Sequence, residues 1–453
     1  MRPHTTALAL ALSICLAASA MATDYYVAKT GNDSNNGTSL STPFLTIQRG
    51  VDALAAGDRL LVRAGTYNET VTIWYKSGTS SAPIYILPYN SEAVVIDGAG
   101  LTDQTAVVAI GRSSYVRFDA FEVKNGYESG VKIYAADNIK VRWCNVHDNQ
   151  TFGFHVLSPE SWGQTHDIVL EGNTVRRNVL NNSDRDESSG WAQAIGTWWV
   201  EDIDILKNYV HENYGEGIDC LVSDGCRIYE NTVYDNFSVN IYLDNATNTL
   251  VNRNFIMTGR ISNASDYYRG GGAACGICMA NEDYTVQNPL NGITITNNIV
   301  NGGWHVLQYS NGEHGGGLHN TLIANNTFYG GSAATANEMM YIQTPSPDVH
   351  DTTVIRNNIF YAKTGQAYAY APSTNITYGY NNWYNGTSNT HKSGSGDVFG
   401  NPLLVSVGSS TKDNWKLTST SPCINAGTTH SAVTTDFWGT ARGTVHDIGA
   451  HEY

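Results

Sequence analysis

Basic residues are scarce in this 453-residue chain: 26 Lys and Arg stand against 41 Asp and Glu, a formal charge of −15. Phosphate binding is built from clustered cations, so nucleic acid is not the expected partner. Charged residues of both signs make up only 15% while aromatics reach 11%, the reverse of a long disordered chain. The 44 glycines follow no triplet period, which excludes a collagen-like rod. Ala, Glu, Lys and Leu lack the excess that a coiled coil needs. After the first 22 residues no run of about 18 apolar residues occurs, so no helical membrane span is expected.

Residues 1–22 have the anatomy of a secretory signal peptide. Arg2 and His4 precede an apolar run over 7–16, and Ala20, Met21 and Ala22 form an A-x-A cleavage pattern. The remaining 23–453 are read as one domain, secreted or periplasmic, and monomeric. Six of the seven cysteines lie in that part. Cys220 and Cys226 flank a turn at Asp224 and Gly225 and could pair; Cys275 and Cys278 read as a disulfide or two buried thiols.

The chain repeats itself. RIYENTVYDN (227–236) echoes ILKNYVHEN (205–213) and VRWCNVHDN (141–149), and ITITNNIV (293–300), LIANNTF (322–328) and VIRNNIF (354–360) continue the series. Each phrase is a short alternating strand, an Asn at a bend and a second short strand. Another phrase follows, in which a Gly or small residue precedes an apolar one: Val131, Phe154, Ile195, Ile218, Ile241, Ile277 and Val306. Their spacings are 23, 41, 23, 23, 36 and 29, one coil length plus insertions. Period-2 strands at this repeat length predict an all-β solenoid, the parallel β-helix. Asn suits the bends because it tolerates left-handed backbone, and stacked Asn side chains can form amide ladders. A propeller blade would need about 40 residues and four antiparallel strands per repeat.

The ends fit a solenoid. Thr42 and Pro43 read as the start of a helix that presents Ile47, Val51 and Leu54 on one face, an N-terminal cap within 23–100. Residues 101–400 hold the central coils. Residues 401–453, with a strand-like 447–452, are expected to close the other end.

YYVAKTGNDSNNG (25–37), TPFLTI (42–47), GD (57–58) and the ending DIGAHEY (447–453) resemble secreted right-handed parallel β-helix proteins of the pectate-lyase-like superfamily. That resemblance implies a right-handed β-helix and activity on polysaccharides: lyases, glycoside hydrolases and uronan epimerases share the fold. Family-nine pectate lyases bind calcium through an Asp-Asp-Gly-x-Asp cluster. GEGID (215–219) matches it in part, leaving Glu216 and Asp219 as the possible calcium ligands. The Asp-Pro-His-Asp string of mannuronan epimerases does not occur.

With the apolar column pointing inward, Lys132, His155, Gly196, Asp219, Tyr242, Cys278 and Leu307 should point outward, and two residues further on Tyr134, Leu157, Trp198, Leu221, Asp244, Ala280 and Tyr309. Aromatic faces stack on sugars, and carboxylates or His move protons. The insertions before Trp198 and Ile277 add Trp191, Gln193 and Arg269 to the wall of a groove, and Glu216 of GEGID joins them. Catalysis is assigned to Asp219, Asp244, Tyr242, His155 and Lys132, and substrate binding to Trp191, Gln193, Trp198, Glu216, Arg269 and Tyr309. Asp219 and Asp244 lie one coil and two residues apart, about 8 Å between backbones, a span suited to paired-carboxylate hydrolysis. Elimination would instead need Lys132, His155, Arg269 or a metal to neutralise a uronate, and His155, Lys207 or Tyr242 as base or acid. The superfamily resemblance puts the lyase first, with the hydrolase second and a non-catalytic carbohydrate-binding solenoid third.

Overall fold

The computed structural model describes residues 22–453 except 102–105, 160–161, 187–190, 283–288, 312–315, 331–337, 347–348, 373 and 388–389. The predicted signal peptide lies outside the described residues but for its last position. Three parallel sheets of 13, 11 and 12 strands run the length of the molecule. Each coil contributes one strand to each sheet, so the chain is a right-handed parallel β-helix.

The repeat dictates this geometry. Val131, Phe154, Ile195, Ile218, Ile241 and Ile277 sit directly across from one another in the second sheet and all have no exposed surface. With the inward residues of the other two sheets they form one continuous apolar core. The last step slips by one residue: Ile277 pairs with Leu307, not Val306. Both are apolar and buried, so alternation alone cannot choose between them, and a one-residue shift turns every following side chain over.

The bends between coils carry the expected amide ladders. Asn208 Nδ2 donates to Asn231 Oδ1 (3.1 Å), Asn231 Nδ2 to Asn254 Oδ1 (2.9 Å) and Asn254 Nδ2 to Asn298 Oδ1 (3.0 Å). Asn149, Asn178, Asn213 and Asn236 stack likewise at the next corner. These side chains are buried, and each satisfies backbone groups that a bend would leave orphaned.

At the N-terminal end the helix is Ile47–Ala53, capped by Thr46, whose hydroxyl accepts from the Arg49 amide at 3.2 Å. Thr42 and Pro43 belong to the preceding turn, because Phe44 is taken up by a bridge to Val27. Ile47 and Val51 are buried against the first strands. The C-terminal stretch departs from the sequence reading: 447–452 forms no strand. Instead of sitting on the coil end, Trp415, Phe437 and Ala450 pack on the outer side of the third sheet against Tyr234, Phe255 and Ile299. Asn325 Nδ2 and Arg442 Nη2 fasten the stretch through Asp447 O (2.9 Å) and Asn297 Oδ1 (2.7 Å). Cys220 and Cys226 form a disulfide. Cys144, Cys275, Cys278 and Cys423 are buried free thiols. No helix of the described residues is long and apolar enough to cross a membrane.

Candidate functional site

The second sheet turns its outer face to a groove of about 1460 Å³. Its floor comes from consecutive strands, Gln193–Trp198, Glu216–Leu221, Val239–Asp244 and Cys275–Ala280. Cross-strand register places Gln193 beside Glu216, and Asp219 beside Tyr242, with Leu221 beside Asp244. Strict alternation would hide residue 216 when residue 218 is inward. The alternation breaks at residue 217: Glu216 and Asp219 both line the groove while Ile218 stays in the core. Gly217 itself packs where a Cβ would lie 2.3 Å from Asn240 O. Gly196 has a related duty. A Cβ on it would meet Gln193 Oε1 at 2.8 Å, and the space it leaves lets the Gln193 amide donate to Glu216 Oε2 at 3.3 Å.

Charge is concentrated on this floor. Glu216, Asp219 and Asp244 are 4%, 1% and 2% exposed, and Glu282 stands at the edge of the following coil. Burial, opposed by the Gln193 hydrogen bond, pushes the Glu216 carboxyl up to about 7. Burial raises Asp219 well above the usual carboxylate range, and Glu216, Asp244 and Glu282 add to it by repulsion. Asp219 Oδ1 has no hydrogen-bond partner among the described residues. A buried carboxyl that cannot shed charge to a partner keeps its proton instead. Burial likewise holds the Tyr242 phenol well above its ordinary value, with Asp244 and Glu282 adding to the effect. Its hydroxyl donates to Glu282 Oε1 at 2.5 Å. Tyr242 therefore keeps its phenolic proton in the free groove.

Aromatic side chains and one cation wall the groove. Trp191 is 46% exposed; Arg269 spreads its guanidinium over the Trp191 ring at 4.4 Å, and Phe237 meets the same ring edge-on at 5.9 Å. Trp198 lines the opposite part of the floor. Residues 187–190 of the insertion before Trp191 lie outside the described residues.

The structure brings together most of the side chains singled out from the sequence: Asp219, Asp244, Tyr242, Glu216, Gln193, Trp191, Trp198 and Arg269 all border this groove. Three do not join them. Lys132 and His155 share the outward column with Asp219, but they precede it by three strands and two, about 14 and 10 Å at strand spacing. Both are tied to Glu128, at 2.7 and 3.1 Å. Tyr309 points into the core through the one-residue slip and is fully buried, its hydroxyl donating to Asn311 Oδ1 at 3.1 Å and accepting from Asn281 Nδ2 at 2.9 Å. Gln308 and Ser310 take the outward places that Leu307 and Tyr309 were expected to hold. Glu282, Phe237 and Trp304 also border the groove. Glu282 follows a strand at the head of an insertion, where no periodic signal marks it, whereas Phe237 lies in a regular coil and Trp304 in the stretch that leads into the slipped strand.

Calcium is the ion that the β-helix family implies. It takes six to eight oxygens, and among the described residues no three His, Cys, Asp or Glu side chains converge into a metal cage. Glu216 and Asp219 line the groove together, two carboxylates where such an ion needs more oxygens.

Comparison with known proteins agrees with this architecture. A pectate lyase PEL9 from Emericella nidulans is 32% identical over 154 residues, covering 31% of this chain and 37% of the relative. Pectate lyase L from Dickeya dadantii is 23% identical over 296 residues, covering 60% and 64%. The chain thus spans less than two thirds of the length of either relative. Among solved structures, pectate lyase Pel9A superposes with a TM-score of 0.53 at 20% identity, covering 95% of this chain and 96% of that one. XylC, solved in complex with xylose, gives 0.62 at 12%, covering 94% and 98%. The family model described as "Pel9A-like, right handed beta helix region" matches residues 25–326, two thirds of the sequence, and the chain belongs to that family.

Proposed function

We propose that the protein is an exported enzyme that cleaves a polysaccharide in the groove of the second sheet, and that the cleavage is hydrolytic. The observation that carries this reading is the buried carboxyl set on the groove floor, with Asp219 held protonated by burial beside Glu216 and diagonal to Asp244. A carboxylic acid kept neutral near pH 7 is what a general acid requires. Asp219 gives its proton to the glycosidic oxygen as the bond from that oxygen to the anomeric carbon breaks. Asp244 takes a proton from the water that bonds to the same carbon, and exchange with solvent resets both groups. Tyr242, whose hydroxyl proton is held by Glu282, offers its oxygen as an acceptor to a sugar hydroxyl between them. Trp191 and Trp198 stack on sugar faces, and Gln193 and Arg269 hold hydroxyl or carboxylate groups. The signal-peptide pattern of 1–22 and the Cys220–Cys226 disulfide support export to an oxidising compartment.

Elimination from a uronate polymer is the second reading, favoured by the pectate lyases among the relatives and by Arg269, the cation over Trp191 at the groove wall. A panel of neutral and uronate polysaccharides, assayed in parallel for new reducing ends and for the absorbance of unsaturated uronates, separates the two. Reducing ends without unsaturation support hydrolysis; unsaturation overturns it in favour of elimination. Binding without cleavage overturns both and leaves a carbohydrate-binding solenoid.

A further inference from the structure

A second cavity, of about 370 Å³, lies on the third sheet, beneath the C-terminal stretch rather than on the groove face. The repeat builds its floor. Lys207, Glu230 and Arg253 occupy the same corner of three successive coils, two residues before the paired Tyr209, Thr232 and Phe255. All three have left-handed backbone, with φ of 55°, 60° and 59°, so their side chains leave the corner in one direction. The C-terminal stretch supplies Lys412 and Phe437 as the opposite wall. Arg253 joins the two parts: Nε donates to Phe437 O at 3.1 Å and Nη2 pairs with Glu230 at 2.9 Å.

Three cations thus face one carboxylate, in a protein whose formal charge is −15. Glu230 is already engaged by Arg253. Lys207 reaches Glu171 only at 3.7 Å and is half exposed. Lys412 stands 6.0 and 5.8 Å from the ring centres of Phe255 and Phe437, and its pKa is lowered because burial disfavours the charged form. A desolvated ammonium gains more from an incoming anion than an exposed one does. The same cavity offers ring surface, from the half-exposed Tyr209 and from Phe437. A compact anion that also has an apolar face fits both features, and cavities of this size hold small ligands.

We propose that this cavity is a second carbohydrate site, which takes a uronate residue with its carboxylate between Lys207 and Lys412 and its ring against Tyr209. It is separate from the groove and independent of the cleavage chemistry there; its effect is to hold an acidic polymer on the opposite side of the solenoid. The test titrates the intact protein with D-galacturonate, D-galactose and inorganic phosphate by calorimetry. Galacturonate should bind at least about tenfold more tightly than galactose, as one charge-assisted contact provides. Lys412→Ala should weaken it by about tenfold or more with unchanged thermal unfolding. Lys412→Arg should restore most of the affinity, and Asp219→Asn should leave it unaltered. Equal binding of galactose, or no binding of galacturonate, overturns the proposal. Phosphate bound as tightly as galacturonate would mean a bare-anion site and also overturns it, as does loss of binding in Asp219→Asn but not in Lys412→Ala.

Discussion

Replacing Glu216 by Gln should stabilise the protein at neutral and alkaline pH and leave it unchanged below pH 4.5. The Glu216 carboxyl is 4% exposed and is pushed from 4.5 to about 7, chiefly by burial. Below pH 4.5 it is protonated in both the folded and unfolded chain, and its burial carries no penalty. As pH rises from 4.5 toward 7 the unfolded chain loses the proton while the folded one keeps it, and stability falls. Above pH 7 the whole difference applies: at about 1.4 kcal/mol per pH unit it amounts to about 3 kcal/mol against folding. Gln keeps the shape and keeps an acceptor for the Gln193 amide, so the variant sheds the penalty without opening a cavity. A domain of roughly 430 residues has an unfolding entropy of about 0.9 kcal/mol per kelvin, so the gain is about 3 °C in Tm. Scanning calorimetry of parent and variant at pH 4 and pH 8.5 should show equal Tm at the first and the shift at the second. A variant less stable at pH 8.5, or a difference independent of pH, would refute the reasoning.

Asp219→Asn removes the general acid and should lower cleavage by about 10²- to 10⁴-fold, with a Tm no lower than the parent's, measured on the same preparation. Because the acid must hold its proton, the cleavage rate should fall on the alkaline side of its profile, and a pH–rate series in the parent checks this. Asn231→Ala strips an acceptor from the Asn208 amide (2.9 Å) and side chain (3.1 Å) and a donor from Ile205 O (2.8 Å). Denaturant unfolding should register a loss of about 3 kcal/mol. Opening the Cys220–Cys226 loop with a double Cys→Ala variant should cost about 2 kcal/mol in the same assay, from the freed entropy of a short loop.

The parts of this molecule that repeat were legible in the sequence. Spacings of 23 placed Val131 through Ile277 in one column, and the Asn at each bend announced the ladders, because a solenoid imposes the same environment at the same phase of every coil. Legibility ended where the period did. Tyr309 was misplaced because Val306 and Leu307 are equally apolar, and a slip of one residue exchanges core for surface. Glu282 reaches the groove from an insertion, whose path is set by packing rather than by alternation, and Trp304 from the stretch that leads into the slipped strand. Lys132 and His155 have the right chemistry and the right face, but their distance from Asp219 along the coil axis, and their shared partner Glu128, follow only from the register of the coils. Thr46 rather than Thr42 caps the helix because Phe44 is drawn into the first sheet. The C-terminal stretch has no period, and its course along the third sheet depends on Trp415 and Phe437 finding Phe255 and Tyr234.

Cleavage in ¹⁸O-water tests the central claim most directly. Hydrolysis bonds solvent oxygen to the anomeric carbon, so each new reducing end should carry one ¹⁸O by mass spectrometry, and Asp219→Asn should yield almost none of that product. Elimination keeps the original glycosidic oxygen on the leaving sugar. Unlabelled reducing ends paired with unsaturated partners, or an Asp219→Asn variant that labels product as fast as the parent, would contradict the account.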